Sequence, residues 1–305
     1  MNDWAHEAVQ VIGREELKRL SERSDARGLV QLGSHLALLV VTGSMITFSF
    51  GTAWFWPAMF VHGVVLIFLF APLHETIHRT AFRSRVLNDV AAFAIGVLIV
   101  LPREYFRAFH FTHHRFTQEP NDPELAVPKP ATVRQLLWHV SGVPYWIAGF
   151  RGLVVRASGV LAETIYATDR VKQSVVREAR WVLAIYAAAL GLSIAAQSTI
   201  LLWYWVIPAV LGQPMLRLYL LAEHSGCPRS PDMLENSRTT YTNVAVRFLA
   251  WNMPFHAEHH AWPSIPFHAL PATNAVIRHK LRKTAPGYAA ALGEIWETMR
   301  AGRAL

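Results

Sequence analysis

Long apolar blocks alternate along this chain with polar, histidine-rich stretches. No Asp, Glu, Lys or Arg occurs from Gly28 to Leu73, and none from Trp181 to Leu216. One bilayer crossing needs about 20 predominantly apolar residues, so each block suits two crossings. The first block splits near Gly51-Thr52-Ala53 and predicts spans at about 34–50 and 54–73. The second splits near Gln197-Ser198-Thr199 and predicts spans at about 180–197 and 200–221. Trp54 and Trp56 flank the first turn, where interfacial aromatics belong. Val90 to Leu101 is apolar but too short to cross, and reads as an interfacial or re-entrant helix. Leu136 to Leu161 is interrupted by Gly142, Pro144, Gly149, Arg151 and Arg156, and reads as lying on the membrane.

The pattern predicts an all-α integral membrane protein with four transmembrane helices in two hairpins and a cytosolic helical cap. It is one domain over residues 1–305: an N-terminal interfacial helix (1–33), hairpin one (34–73), an interfacial region (74–179), hairpin two (180–221) and the cap (222–305). Trp4, Ala8, Val11, Ile12 and Leu20 give the N-terminal helix an apolar stripe. Arg14, Lys18, Arg19, Arg23 and Arg27 place positive charge just before the first span, the cytoplasmic signature. Both hairpin turns lack Lys and Arg and are expected outside. Both termini are expected in the cytoplasm of a multi-pass membrane protein, and no cleavable signal peptide is visible. Arg217 is expected to snorkel to the interface. The tail from Ala269 to Leu305 reads as a basic amphipathic surface helix.

Composition supports this reading. The chain is 52% hydrophobic and 16% charged, against about 25% charged in soluble domains. Its net charge of +8 would suggest nucleic acid in a soluble protein. Here Lys and Arg collect on one membrane side instead, and no nucleic-acid partner is expected. A single cysteine, Cys227, excludes an internal disulfide and a Cys-ligated iron–sulfur cluster. Electrons for any redox step must therefore come from another protein or a cofactor.

Candidate chemistry lies in the polar stretches. Eight of the 15 histidines fall in three boxes: His74 and His78; His110, His113 and His114; His256, His259 and His260. Positions i, i+3 and i+4 share one helix face, so each box is expected to aim its imidazoles at one spot. Two spans separate the second box from the third, and none separates the first from the second, so all three can meet on the cytoplasmic side. Imidazole suits iron, zinc and copper. Eight exceed what one metal takes, and two metals sharing the set is the economical count. A redox-inert pair fits hydrolysis and a redox pair fits oxygen chemistry; ligand type alone leaves both open. His224, just after the last span, is either a ninth ligand or a lone helix-end histidine. Glu75, Glu119, Asp122, Glu223 and Glu258 are candidates to orient ligand rings, though for Glu119 plain surface charge is the better reading. His74-Glu75-x-x-His78 also matches the zinc peptidase motif, with Glu75 as base; that reading leaves the other boxes without a role. A metal transporter would want ionisable groups within the spans. The spans offer only His35 and His62, which read as polar residues facing another helix or the interface.

The three boxes interleaved with two hairpins resemble the membrane fatty acid desaturase and hydroxylase superfamily over about residues 34–268. So do Thr117 to Pro123 after box two, and Trp262-Pro263 and Pro266 after box three. The resemblance implies two non-haem irons held by His74, His78, His110, His113, His114, His256, His259 and His260. His224 matches the extra histidine that acyl-CoA desaturases place after their fourth span. It implies O2-dependent oxidation of an unactivated C–H bond on an acyl or lipid-like chain, giving an alkene in a desaturase or an alcohol in a hydroxylase. His256 stands where front-end desaturases carry glutamine, and no cytochrome b5 domain is fused, so the implied donor is a separate ferredoxin-type protein or similar. The sequence departs at Leu220, where acyl-CoA desaturases have an asparagine that holds a water on one iron; Asn243 and Asn252 are the candidate substitutes.

Overall fold

The computed structural model describes residues 11–161 and 168–302. Its helices are α1 (Arg14–Leu20), α2 (Asp25–Ser49), α3 (Phe55–Ile67), α4 (Phe70–His78), α5 (Arg85–Leu98), α6 (Arg103–Phe116), α7 (Val133–Val140), α8 (Val143–Ala157), α9 (Asp169–Ala195) and α10 (Ile207–His224). The cap adds α11 (Met233–Asn236), α12 (Val244–Leu249), α13 (His256–Ala261), α14 (Leu270–Ile277) and α15 (Tyr288–Arg300). Two short strands, β1 (Thr239–Thr240) and β2 (Thr284–Ala285), pair in parallel within the cap. The protein is an all-α membrane protein. Four helical stretches are long and apolar enough to cross a bilayer: Asp25–Ser49, Phe55–His78, Asp169–Ala195 and Leu202–His224.

These helices overrun their apolar blocks at the histidine end. Ser24 accepts the Arg27 N–H and Thr168 accepts the Val171 N–H, so α2 and α9 start well before positions 34 and 180. The second and fourth run on to His78 and His224 rather than ending near 73 and 221. Hydropathy marks the bilayer's thickness, whereas helices continue until caps end them. Residues 74–78 and 169–179, expected to be interfacial, are therefore extensions of the spans.

The second span is the inner one of its hairpin: 67% of its apolar window is buried, against 17% for the first. It packs on α10 at two glycines. A Cβ on Gly63 would lie 1.9 Å from the Pro208 carbonyl oxygen, and one on Gly212 2.2 Å from the Gly63 carbonyl carbon. Only backbone-to-backbone approach fits there. Pro208 has no N–H and cannot serve the Tyr204 carbonyl one turn back. The helix widens over Leu202–Val206, and His62 Nε2 donates to that carbonyl at 3.0 Å. His35 Nε2 donates likewise to the Val65 carbonyl at 2.9 Å. Both intramembrane histidines thus face neighbouring helices as structural polar groups.

Between the hairpins, α5 and α6 meet at a bend of 101°. The carbonyls freed there need partners in an apolar setting. The Tyr186 hydroxyl donates to Val97 (2.6 Å), the Trp205 indole to Leu98 (2.7 Å) and the Tyr145 hydroxyl to Ile99 (2.5 Å). This sharp fold-back within 90–101 sets box two beside box one. The interrupted stretch after it forms α7 and α8, parted at Gly142 in the left-handed region.

Two end segments pack more closely than expected. Ile12 and Leu20 are buried in the main apolar core, so the N-terminal segment is docked rather than lying free. Trp4 and Ala8 lie outside the described residues. In the tail, Leu270, Thr273, Ile277, Ala291, Ile295 and Met299 are buried, so α14 and α15 form the cap's inner layer.

Candidate metal centre

Four elements deliver nine imidazoles to one place: α4 carries His74 and His78, α6 carries His110, His113 and His114, α10 ends at His224, and α13 carries His256, His259 and His260. His78 and His114 are half-buried and the others buried. The nitrogens of His74, His78, His110, His114 and His259 all lie within 4.8 Å of one another; those of His113, His224 and His260 form a second such group. His256 joins the second, its Nε2 2.9 Å from that of His224.

Boxes two and three therefore do not each aim at one spot. Positions i+3 and i+4 differ by about 100° around a helix, and here that angle separates two targets. On α6, His110 and His114 serve the first group and His113 the second. On α13 the assignment reverses: His259 serves the first, His256 and His260 the second.

The nitrogen contacts fit metal ions better than hydrogen bonds. His114 Nε2 faces Nε2 of both His110 (2.9 Å) and His259 (3.1 Å). His224 Nε2 faces Nε2 of both His113 (3.1 Å) and His256 (2.9 Å). One ring nitrogen is a donor or an acceptor, not both, so it cannot satisfy two others. Adjacent donors on a metal with bonds of about 2.1 Å sit roughly 3.0 Å apart, which is the spacing observed. Nε2 of His74, His78 and His260 are buried without a protein partner. Nitrogens of eight of the nine rings thus form two groups, and His256 Nε2 adjoins the second.

Hydrogen bonds at Nδ1 prepare the second group. Thr117 Oγ1 gives its proton to the His113 carbonyl (2.7 Å), so it accepts from His260 Nδ1 (3.2 Å). His224 Nδ1 donates to the Asn236 carbonyl (3.2 Å) and His113 Nδ1 to Asp122 Oδ1 (2.9 Å). Each bond leaves the Nε2 lone pair free to bind metal. Burial first, and neighbouring imidazoles second, hold the pKa values of His256, His259 and His260 well below the ordinary histidine value. They are neutral at pH 7, the form that ligates.

Of the acidic candidates, Asp122 is an orienter, and Glu223 Oε1 stands 3.5 Å from His256 Nδ1. Glu75 and Glu258 are not. Glu75 Oε1 accepts the Phe267 N–H at 3.0 Å, and Glu258 accepts from Thr239 Oγ1 and Asn274 Nδ2. Both pin the box-three segment in place. Glu119 takes part in the box-two turn through its main chain. Neither candidate asparagine reaches the site: Asn243 caps α12 through the Val246 N–H, and Asn252 bridges Arg247 to the Phe267 carbonyl. Arg217 does not snorkel free; its guanidinium lies 4.6 Å from the Tyr145 ring centroid.

One residue escaped the sequence reading. Glu124 Oε1 lies 3.9 Å from His113 Nε2. Burial pushes its carboxyl up, but the charges of His113 and Lys129 outweigh that and hold it at about 2. The signal was the Asp122-Pro123-Glu124 turn after box two, where only the first carboxylate was weighed.

The chain matches the fatty acid desaturase family over residues 28–291, a range that takes in all nine histidines and all but the first three residues of the four candidate spans. The chain belongs to the fatty acid desaturase family. Comparison with curated proteins gives no match. Membership makes this an oxidoreductase of the membrane desaturase and hydroxylase superfamily, with histidine groups of metal-binding type where its boxes lie.

Proposed function

We propose that this protein is a membrane-bound, O2-dependent di-iron oxidoreductase that desaturates an acyl or lipid-like chain. The observation that carries the reading is the convergence of nine imidazoles into two groups. His74, His78, His110, His114 and His259 would hold one iron; His113, His224, His256 and His260 the other. Bound iron would supply O2 activation and the removal of hydrogen from an unactivated C–H bond. The chain's own residues fix the ligand rings, hold His256, His259 and His260 neutral and exclude water from the site.

An apolar substrate is supported by a cavity of about 860 Å³ between α8, α9 and α10, within the range of ligand pockets. Its walls include Ile147, Phe150, Tyr186, Leu190 and Trp205, and Leu98 and Val100 at the bend that leads into box two also line it. An external ferredoxin-type donor fits a chain whose one cysteine cannot hold an iron–sulfur cluster. The Lys- and Arg-free turns support a cytoplasmic site.

Elemental analysis of detergent-purified protein tests the reading. About two irons per chain are expected, followed by an alkene product from an acyl substrate under O2 with a reducing system. An alcohol product would move the assignment to hydroxylase. A single zinc, dependent on His74 and His78 but indifferent to His259, would sink it.

A further inference from the structure

The two histidine groups are unequal in number, with five imidazoles in one and four in the other. The residue that could complete the smaller group comes from the turn Pro123–Ala126. Asp122, which caps that turn, grips His113 at Nδ1 and also accepts the Glu124 N–H at 2.9 Å. The same turn therefore addresses both nitrogens of one ring: Asp122 at Nδ1 and Glu124 at Nε2.

The Nε2 contact is not a hydrogen bond. The Nδ1–H of His113 goes to Asp122, so Nε2 is the ring nitrogen left for a metal. Glu124 Oε1 lies 3.9 Å from it, beyond hydrogen-bond reach. A metal ion bound at Nε2 would have this carboxylate oxygen within the separation of two donors on one ion. Two donors on one metal with bonds of about 2.1 Å are separated by about 3.0 Å when adjacent and about 4.2 Å when opposite. The observed separation falls inside that range. Leu220, Asn243 and Asn252 supply no competing polar atom at this position.

We propose that Glu124 is a carboxylate donor to the second metal, making the two ions chemically unequal. This rests on the di-metal reading above. A carboxylate is a harder ligand than imidazole and neutralises part of the ion's charge, so the second iron would favour its higher oxidation state relative to the first. The rival role is an ion pair with Lys129, whose Nζ lies 4.0 Å from Glu124 Oε2.

The test is iron content and Mössbauer spectra of full-length, iron-loaded protein in detergent, for wild type, Glu124→Gln, Glu124→Asp and Lys129→Met. Wild type should hold about two irons in two distinct quadrupole doublets of equal area. Glu124→Gln should alter or deplete one doublet and spare the other, Glu124→Asp should retain most of the wild-type spectrum, and Lys129→Met should leave both doublets unchanged. Wild-type spectra from Glu124→Gln would overturn the proposal while leaving the di-iron reading intact. Equal effects from Lys129→Met and Glu124→Gln would also overturn it, in favour of the ion pair. Fewer than two metals in wild type would instead sink the reading on which it rests. Glu124 is one-third exposed at its side chain, so an isosteric amide should fold; circular dichroism and monodisperse elution check this.

Discussion

In the group around His113, ring orientation is set by hydrogen bonds; in the group around His110, it is set by helices and packing. Asp122, Thr117 and the Asn236 carbonyl hold three Nδ1 atoms of the second group. In the first group, Nδ1 of His74 and His259 are buried with no partner, whereas in the second His256 Nδ1 alone among the four lacks a hydrogen bond. His74 instead packs against His110 (4.3 Å between centroids), His259 (4.6 Å) and Phe70 (6.0 Å). The scaffolds explain the difference. Four rings of the first group stand as i, i+4 pairs on α4 and α6, which aim them without further help. The second group draws on single residues from α6 and α10 and on the six-residue α13, and short or terminal backbone holds a ring less firmly. Where the scaffold is weak, polar partners replace it.

The largest effect expected from this contrast is at His259, the one member of the first group supplied by α13. His259→Ala should abolish turnover while the protein still inserts in membranes, and iron analysis should show the first site depleted. Full activity in this variant would contradict its place as a ligand.

A smaller effect is expected at the second group's best-held ring. Asp122→Asn keeps the side chain's shape but presents a weaker acceptor to His113 Nδ1. Loss of such a partner costs roughly 10–100-fold in metal affinity or activity. Chelator competition should show the loss at one site only. Equal weakening of both sites would mean that the groups share one orienting network and that the contrast is mistaken.

Much of this was legible in the sequence, for identifiable reasons. Blocks without charge, such as Gly28 to Leu73, reveal spans because lipid tolerates little else. The boxes reveal the metal chemistry because imidazoles at helical spacing have few other uses. The split of each i, i+3, i+4 box between two targets was not legible. Spacing gives angles around one helix, while the targets depend on where other helices stand. Glu124 was missed for a related reason: its reach toward His113 depends on a turn closed by Asp122, which a list of carboxylates does not contain. Glu75 was misread because its partner, the Phe267 N–H, lies far away in sequence.

The finest probe of the comparison is Thr117. Its hydroxyl donates to the His113 carbonyl and accepts from His260 Nδ1, so it links two rings of the second group and none of the first. Thr117→Val keeps volume and branching and removes both bonds. The His113 carbonyl returns to a singly bonded helix carbonyl, at little cost. His260 Nδ1 is left buried without an acceptor, at a cost of about 1–3 kcal/mol. Part of that cost can be relieved if the ring adopts the Nε2–H tautomer, which removes the lone pair aimed at the metal. The expected result is a second-site affinity lower by about tenfold, since about 1.4 kcal/mol corresponds to that factor, with the first site unchanged. If Thr117→Val left both sites at wild-type affinity, hydrogen bonding would not be what aims His260, and packing alone would account for both groups.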